Sequence, residues 1–114
     1  MIEFWHNPRC SKSRQALALL EARGVPVQVR RYLDDAPGAD QIRAAWVALG
    51  RPPMIQMMRT GEAVFKDLGL SRDADDAALI AAMADHPILI ERPLALSGER
   101  AVIGRPPERV LDLL

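Results

Sequence analysis

The sequence predicts an α/β fold in which helices pack on a single four-stranded mixed sheet. Residues 2–32 contain a strand, a helix and a second strand, residues 51–86 are mostly helical, and the last third holds a β-hairpin and a helix. A strand-helix-strand unit places its two strands in parallel, whereas a hairpin adds two antiparallel strands. One mixed sheet therefore satisfies the element order β-α-β, helical block, β-β-α.

The opening βαβ unit begins with the apolar strand Ile2–Trp5. A turn containing Pro8 leads into a helix whose leucines recur about one turn apart. Gly24 is the expected residue just beyond the end of this helix, where a positive φ is favoured. The second strand is predicted over residues 25–32, where valines alternate with other residues.

The middle of the chain, about residues 40–86, is predicted to be a helical insertion. Asp40 is positioned to cap a helix over residues 41–49, and a later helix begins at Asp75. The methionines of this block are expected to fill the core, because their flexible side chains adapt to irregular gaps.

The last third of the chain predicts a hairpin and a closing helix. Residues 94–96 and 101–103 are apolar strands separated by a turn at residues 97–99. An amphipathic helix is expected over residues 108–114.

Composition narrows the class of protein. The 114 residues fit one domain, 1–114, and 15 basic residues balance 15 acidic ones, so the basic excess of a nucleic-acid binder is absent. A single cysteine excludes an intramolecular disulfide and a cysteine-rich zinc site. No apolar run is long enough to span a bilayer or resembles a signal peptide. We expect a soluble, cytoplasmic monomer without nucleic-acid or membrane partners.

Cys10, the only cysteine, lies where the first strand leads into the first helix. Free backbone N–H groups and the positive end of the helix dipole favour an anion there. The same turn carries four basic side chains, namely His6, Arg9, Lys12 and Arg14. Such surroundings lower the pKa of a thiol, whereas an inert buried cysteine, the alternative, normally has apolar neighbours. The sequence therefore predicts a nucleophilic thiolate.

Two neighbours of Cys10 each allow two interpretations. His6 is either a cation that stabilises the thiolate or only the exposed end of the first strand. Ser13 follows Cys10 by one helical turn, so its hydroxyl either donates to the sulfur or caps the start of the helix.

Three arginines stand at the ends of predicted elements. Arg59 ends the methionine-rich segment, Arg92 precedes the hairpin and Arg105 follows it. Guanidinium groups bind tetrahedral oxyanions with two parallel hydrogen bonds, so their convergence on the thiolate would form an oxyanion site. The alternative is that all three are solvated surface charges.

Four segments resemble the glutaredoxin-coupled arsenate reductase (ArsC) family, and a short branch of it in particular. They are NPRCSKSR at 7–14, MR at 58–59, HPILIERP at 86–93 and GRP at 104–106. The resemblance implies a thioredoxin/glutaredoxin-like fold with a helical insertion and a nucleophilic Cys10. It also implies a supporting histidine at His6, a cis proline at Pro93, and three oxyanion-binding arginines at Arg59, Arg92 and Arg105.

The same resemblance implies that arsenate is reduced to arsenite, with glutathione as co-substrate, glutaredoxin as electron donor, and no metal or tightly bound cofactor. Ser13 stands where a Cys-X-X-Cys motif has its second cysteine, so an external thiol must resolve any mixed disulfide. One alternative is an Spx-like regulator that binds RNA polymerase, although Ser13 removes the two-cysteine switch of that group. Another is a glutathione-linked thiol oxidoreductase without arsenic specificity.

Overall fold

The computed structural model describes residues 1–114 and contains one four-stranded sheet. Its strands are β1 (Ile2–Trp5), β2 (Val27–Arg30), β3 (Leu94–Ser97) and β4 (Arg100–Ile103). The strand order is β2-β1-β3-β4, with β1 parallel to β2, β1 antiparallel to β3, and β3 antiparallel to β4. The predicted mixed sheet is confirmed, although β2 is shorter than the sequence pattern indicates.

The helices lie between β1 and β2, between β2 and β3, and after β4. They are α1 (Ser11–Ala22), α2 (Ala39–Ala48), α3 (Ala63–Asp67) and α4 (Asp76–Asp85), with 3₁₀ helices at Met54–Met57, Pro87–Leu89 and Pro107–Leu113. The block between β2 and β3 contains no strand, only one isolated bridge between Met58 and Ile90. None of the helices has the length and hydropathy that a bilayer-spanning segment requires.

Helix α1 ends just before Gly24, as the sequence predicts. This glycine has φ +67°, and its N–H donates to the Glu21 carbonyl at 3.0 Å. The next N–H, that of Val25, donates to the Leu20 carbonyl at 3.3 Å. The two bonds form a Schellman motif, which satisfies carbonyls that the end of a helix otherwise leaves free.

The N-terminus of α2 differs from the prediction. Gly38, not Asp40, is the N-cap residue, and its N–H donates to Oε1 of Gln41 at 3.1 Å. Asp40 lies inside the first turn, where its negative charge interacts favourably with the positive end of the helix dipole. At α4 the predicted cap is present, because the Asp75 carboxylate accepts a hydrogen bond from the Ala78 N–H at 2.8 Å.

The closing helix is a 3₁₀ helix, with bonds such as Arg109 N–H to the Pro106 carbonyl at 3.0 Å. Its buried residues are Pro107, Val110 and Leu113, which are spaced by three. With three residues per turn, this spacing places all of them on one face. The closing segment is therefore a 3₁₀ helix rather than the α-helix expected over residues 108–114.

The sheet separates two apolar clusters, because successive strand residues face opposite sides. Trp5 and Leu94 face the larger cluster, which the helical insertion completes, whereas Phe4 and Ala95 face α1 and the closing 3₁₀ helix. The methionines of the insertion fill the larger cluster as predicted, namely Met54, Met57, Met58 and Met83.

Candidate functional site

One edge of the sheet brings together segments that are far apart in sequence. Trp5, the last residue of β1, pairs with Leu94, the first of β3, and Leu94 pairs with Ile103, the last of β4. Residues that follow β1, precede β3 or follow β4 therefore lie at the same edge. Cys10, Arg92 and Arg105 occupy these three places.

Cys10 is the N-cap residue of α1, as the sequence predicts. Its N–H donates to the Asn7 carbonyl at 3.0 Å, which closes the turn between β1 and the helix, and its side chain is partly exposed. The thiol therefore faces the backbone N–H groups of the first helical turn, which have no partner within the helix.

The pKa of Cys10 lies below its ordinary value. Burial raises the pKa of the thiol, but the backbone N–H groups of Ser13 and Lys12 and the charges of Arg92 and Arg105 together outweigh burial. Hydrogen bonds and cations that favour the charged form lower the pKa of an acid. The thiolate fraction at neutral pH is therefore larger than for a free cysteine.

The charges with the clearest effect on Cys10 come from Arg92 and Arg105, which lie outside the turn that the sequence interpretation emphasised. Arg9, Lys12 and Arg14 have exposed side chains, whereas the charges that lower the pKa of the thiol are those of Arg92 and Arg105. Nη1 of Arg14 donates instead to the Pro8 carbonyl at 2.9 Å. Arg14 thus holds the turn in shape.

His6 and Ser13 form a buried pair beneath the thiol. The Ser13 hydroxyl lies 2.7 Å from Nδ1 of His6 and accepts a hydrogen bond from the Asn7 N–H at 3.0 Å. These contacts occupy the hydroxyl, so the expected donation from the Ser13 hydroxyl to the sulfur is not formed. The backbone N–H of Ser13 lies close enough to the sulfur to help lower the pKa of the thiol.

The pKa of the His6 imidazole is lowered, so the ring is mostly uncharged at neutral pH, which disfavours the cationic role, one of the two interpretations left open by the sequence. Burial lowers its pKa, the charges of Arg31 and Arg14 lower it further, and Glu21 opposes them. His6 is also buried rather than exposed at the strand end. Its contact with Ser13 positions the first turn of α1.

Arg105 is the arginine in contact with the thiol. Its Nη2 lies 3.9 Å from Sγ of Cys10, and its Nε donates to the Arg92 carbonyl at 2.9 Å. One guanidinium group thus joins the loop after β4 to both the thiol and the segment before β3.

Arg59 reaches the same region from the helical insertion. Its N–H donates to the Leu89 carbonyl at 2.8 Å, and the Glu91 N–H donates to the Met57 carbonyl at 2.8 Å. These bonds place Arg59 and Arg92 in one cleft. The three predicted arginines are therefore brought together, with Arg92 and Arg105 nearest the sulfur.

Two carboxylates oppose the arginines, and the sequence interpretation missed both. Oε1 of Glu91 lies 2.9 Å from Nη1 of Arg92 and 3.3 Å from Nε of Arg105. Oε1 of Glu62 lies 2.6 Å from Nη2 of Arg59. The available signals were the adjacency of Glu91 to Arg92 and the three-residue spacing of Glu62 from Arg59. With an ionised thiol, the site as a whole is close to neutral.

Pro93 follows a cis peptide bond, as the sequence resemblance implies, and Pro106 follows a second one. Gly104 packs against Pro93, because a Cβ on this glycine would lie 2.8 Å from Cγ of the proline. The Gly104 N–H also donates to the Pro93 carbonyl at 2.8 Å. Only glycine fits between the two loops that carry Arg92 and Arg105.

Tyr32 lies two residues beyond β2, at the same end of the sheet, and was not singled out in the sequence. Its side chain is fully buried, and burial raises the pKa of its hydroxyl although Arg92 and Arg59 act to lower it. The hydroxyl therefore remains protonated at neutral pH. No group of three or more histidine, cysteine or carboxylate side chains forms a candidate metal site.

Comparison with known proteins agrees with this geometry. The model of the ArsC family matches residues 5–113. The arsenate reductase of Neisseria meningitidis serogroup B is 44% identical over 114 residues, covering 99% of this chain and 97% of the relative. The arsenate reductase of Haemophilus influenzae is 42% identical, with 96% of each chain covered.

Solved structures give the same result for the fold. The arsenate reductase from Vibrio cholerae superposes with a TM-score of 0.95 at 45% identity, covering 99% of this chain and 97% of the other. The thioredoxin-like arrangement that the sequence resemblance implies is thereby confirmed.

Proposed function

We propose, because this chain belongs to the ArsC family, that it is an arsenate reductase with Cys10 as its nucleophile. The relatives named above carry that activity in their names, and they match this chain over nearly its whole length. The observation that most supports the proposal is the contact between the Arg105 guanidinium and the Cys10 sulfur at 3.9 Å. It joins a nucleophile to a group suited to oxyanions.

In the first step the Cys10 thiolate attacks the arsenic atom of arsenate. A sulfur–arsenic bond forms, and hydroxide leaves and takes a proton from solvent. Arg59, Arg92 and Arg105 offset the negative charge that otherwise repels an anionic nucleophile from an anionic substrate. This attack changes no oxidation state, so arsenic is still As(V) in the adduct.

Reduction needs a second thiol, because the chain has only one cysteine. Glutathione, as a thiolate, attacks the Cys10 sulfur of the adduct, and the sulfur–arsenic bond breaks. The bonding pair stays on arsenic, which leaves as As(III) in arsenite, while Cys10 becomes a mixed disulfide with glutathione. Glutaredoxin then reduces this disulfide, which fits the thiol-rich cytoplasm.

Electron donors distinguish this reaction from related ones. In an assay coupled to NADPH consumption, we expect arsenate turnover with glutathione and glutaredoxin, and little with thioredoxin and its reductase alone. Without glutaredoxin, mass spectrometry of the stalled protein should find one glutathione on Cys10. Efficient thioredoxin-only turnover without that adduct would contradict the donor assignment. Turnover of a disulfide substrate but not of arsenate would instead favour a general thiol oxidoreductase.

Glu91 is expected to weaken oxyanion binding, since it occupies donors of Arg92 and Arg105. Replacing Glu91 with Gln removes one negative charge at similar size. We expect about tenfold tighter binding of arsenate or phosphate, because a charge a few ångströms away contributes on the order of 1 kcal/mol or more even when well screened. The measurement is the anion concentration that half-protects Cys10 from iodoacetamide. Weaker protection would show that Glu91 serves mainly to orient Arg92.

A further inference from the structure

Strand β4 is an outer strand of the sheet, so one of its edges carries backbone groups without a neighbouring strand. Hydrogen-bonded and non-bonded pairs alternate along an antiparallel ladder. The Gly104 N–H donates to the Pro93 carbonyl at 2.8 Å, so by this alternation Ile103 and Ala101 direct their backbone groups away from β3. The Ile103 carbonyl accepts from the Arg105 N–H at 2.9 Å. The N–H groups of Ala101 and Ile103 and the Ala101 carbonyl remain open to a ligand.

A groove with a volume of about 340 Å³ follows this open edge. One wall comes from the segment after α2, with Leu49, Pro52 and Gln56, and Arg109 of the closing 3₁₀ helix lies on the other side. Since the helical insertion and the closing helix pack on opposite faces of the sheet, the groove has the β4 edge as its floor. Its volume lies within the range of small-molecule sites.

The groove ends beside the thiol. Arg105 lines it, and Nη2 of the same side chain lies 3.9 Å from Sγ of Cys10. Glu91 lines both this groove and the cleft that contains Arg59 and Arg92. The cleft is walled almost entirely by polar residues, whereas the groove also has apolar walls. Two places for a ligand therefore meet at Glu91, and they differ in chemical character.

The proposed reaction has two substrates, and their chemistry matches the two places. An oxyanion has no carbon and suits the polar cleft with its arginines. Glutathione is a short peptide, whose N–H and carbonyl groups can pair with an open strand edge as an added strand does. It carries two carboxylates and one ammonium group, so its net charge is negative. The arginines of the groove outnumber its single glutamate, which favours such a ligand.

We propose that glutathione binds in this groove as an extended peptide, with its backbone paired to the outer edge of β4 and its thiol beside Arg105 and Cys10. The assignment rests on the proposed function, in which the glutathione thiolate attacks the Cys10 sulfur. A sulfur–sulfur bond forms, and the sulfur–arsenic bond breaks with its electron pair left on arsenic. The Arg105 guanidinium offsets the charge of the approaching thiolate, and the groove holds the second thiol near the sulfur that it attacks.

Ala101→Pro tests the pairing, because it removes an outward N–H and leaves the bonds to β3 in place. Proline is tolerated on an edge strand where the N–H faces solvent. The assay follows release of thionitrobenzoate from its disulfide with Cys10 as glutathione attacks, which requires no arsenate. We expect the wild-type rate to saturate with glutathione, and the half-saturating concentration to rise about fivefold in Ala101→Pro, as for one lost hydrogen bond.

Val29→Pro is the matched control on the other outer strand, β2. The Arg30 carbonyl accepts from the His6 N–H at 2.8 Å, so the backbone of Val29, one residue before, is directed away from β1. This variant should leave the half-saturating concentration unchanged. Equal half-saturation in wild type and a folded Ala101→Pro, judged by Tm and by the iodoacetamide rate, would overturn the pairing.

Two measurements on the wild-type chain do not depend on a proline variant. The rate with 2-mercaptoethanol, which has no peptide backbone, should rise linearly with concentration where the rate with glutathione saturates. S-methylglutathione, which cannot react, should shift the ¹⁵N–¹H signals of Ala101 and Ile103. Linear kinetics with both thiols, or shifts confined to the cleft of Arg59 and Arg92, would overturn the assignment.

The assignment and the proposed function fail in different ways, because none of these assays contains arsenate. Arsenate turnover without saturable glutathione binding would remove the groove and leave the reductase. Saturable binding at the β4 edge without arsenate turnover would keep the glutathione site and contradict the proposed substrate.

Discussion

Cys10→Ser should abolish turnover, with a loss on the order of 10⁴-fold or more, as expected when a covalent nucleophile is removed. A serine hydroxyl is not ionised by the groups that ionise this thiol, so conservation of size does not conserve the reaction. The same thiol should react with iodoacetamide with a midpoint below the value near 8.5 of a free cysteine. The direction follows from the backbone N–H groups and arginines around the sulfur, which outweigh its burial.

The pH dependence has a definite sign. A thiol with a lowered pKa is ionised above that pKa, so the rate of alkylation should fall only as pH drops through the lowered value. The rate of the first chemical step should fall over the same range, because the thiolate is the attacking form. An ordinary midpoint near 8.5 would contradict the activated thiolate, and turnover by Cys10→Ser would exclude Cys10 as the nucleophile.

Two variants of the turn serve as matched controls for this experiment. Ser13→Ala removes the hydroxyl that pairs with His6 but keeps the backbone N–H that serves the sulfur. Arg14→Ala removes a cation that is close in sequence but bonded to the Pro8 carbonyl. Both should leave the alkylation midpoint low. A large rise of the alkylation midpoint in either variant would support the interpretation drawn from the sequence, in which side chains of the turn lower the pKa of the thiol.

Short-range sequence patterns were sufficient to predict the strands and the helix that position the site. The strand Ile2–Trp5, the helix that follows and Gly24 at its end all depend on short-range patterns, so Cys10 could be placed at the helix start. The hairpin is also local, and its register brings the positions before and after it together. The approach of Arg92 to Arg105 was therefore predictable in principle from topology.

The electrostatics of the site were not predictable in the same way. Proximity in sequence suggested that Arg9, Lys12 and Arg14 supply the charge that ionises the thiol, but all three side chains are exposed, and Arg14 donates to the Pro8 carbonyl. The charge state of His6 depends on burial, which a single sequence does not reveal. Arg59 needed the long-range bridge between Met58 and Ile90 to reach the cleft.

Arg105→Lys should lower kcat/KM for arsenate by about 10²–10³-fold, the usual cost of losing one preorganised donor to a developing anion. The guanidinium makes two contacts in different directions, Nε to the Arg92 carbonyl at 2.9 Å and Nη2 to the sulfur at 3.9 Å. A lysine ammonium carries a single nitrogen and cannot span both. The thiol should also lose part of its activation, so the alkylation midpoint should rise.

Two further variants, one at Arg59 in the site and one at Arg109 on the surface, sharpen this prediction. Arg59 makes no hydrogen bond to the sulfur, whereas Arg105 does, so Arg59→Lys should weaken oxyanion protection while the alkylation midpoint stays unchanged. Arg109→Lys is the surface control, since Arg109 pairs with Asp112 in an exposed ion pair, and it should change neither quantity measurably. If Arg105→Lys retains full kcat/KM, positive charge alone is sufficient at that position, and the planar guanidinium group is not required for catalysis. If Arg59→Lys raises the midpoint as much as Arg105→Lys does, Arg59 affects the sulfur as strongly as Arg105, contrary to the geometry in which Arg105 touches it.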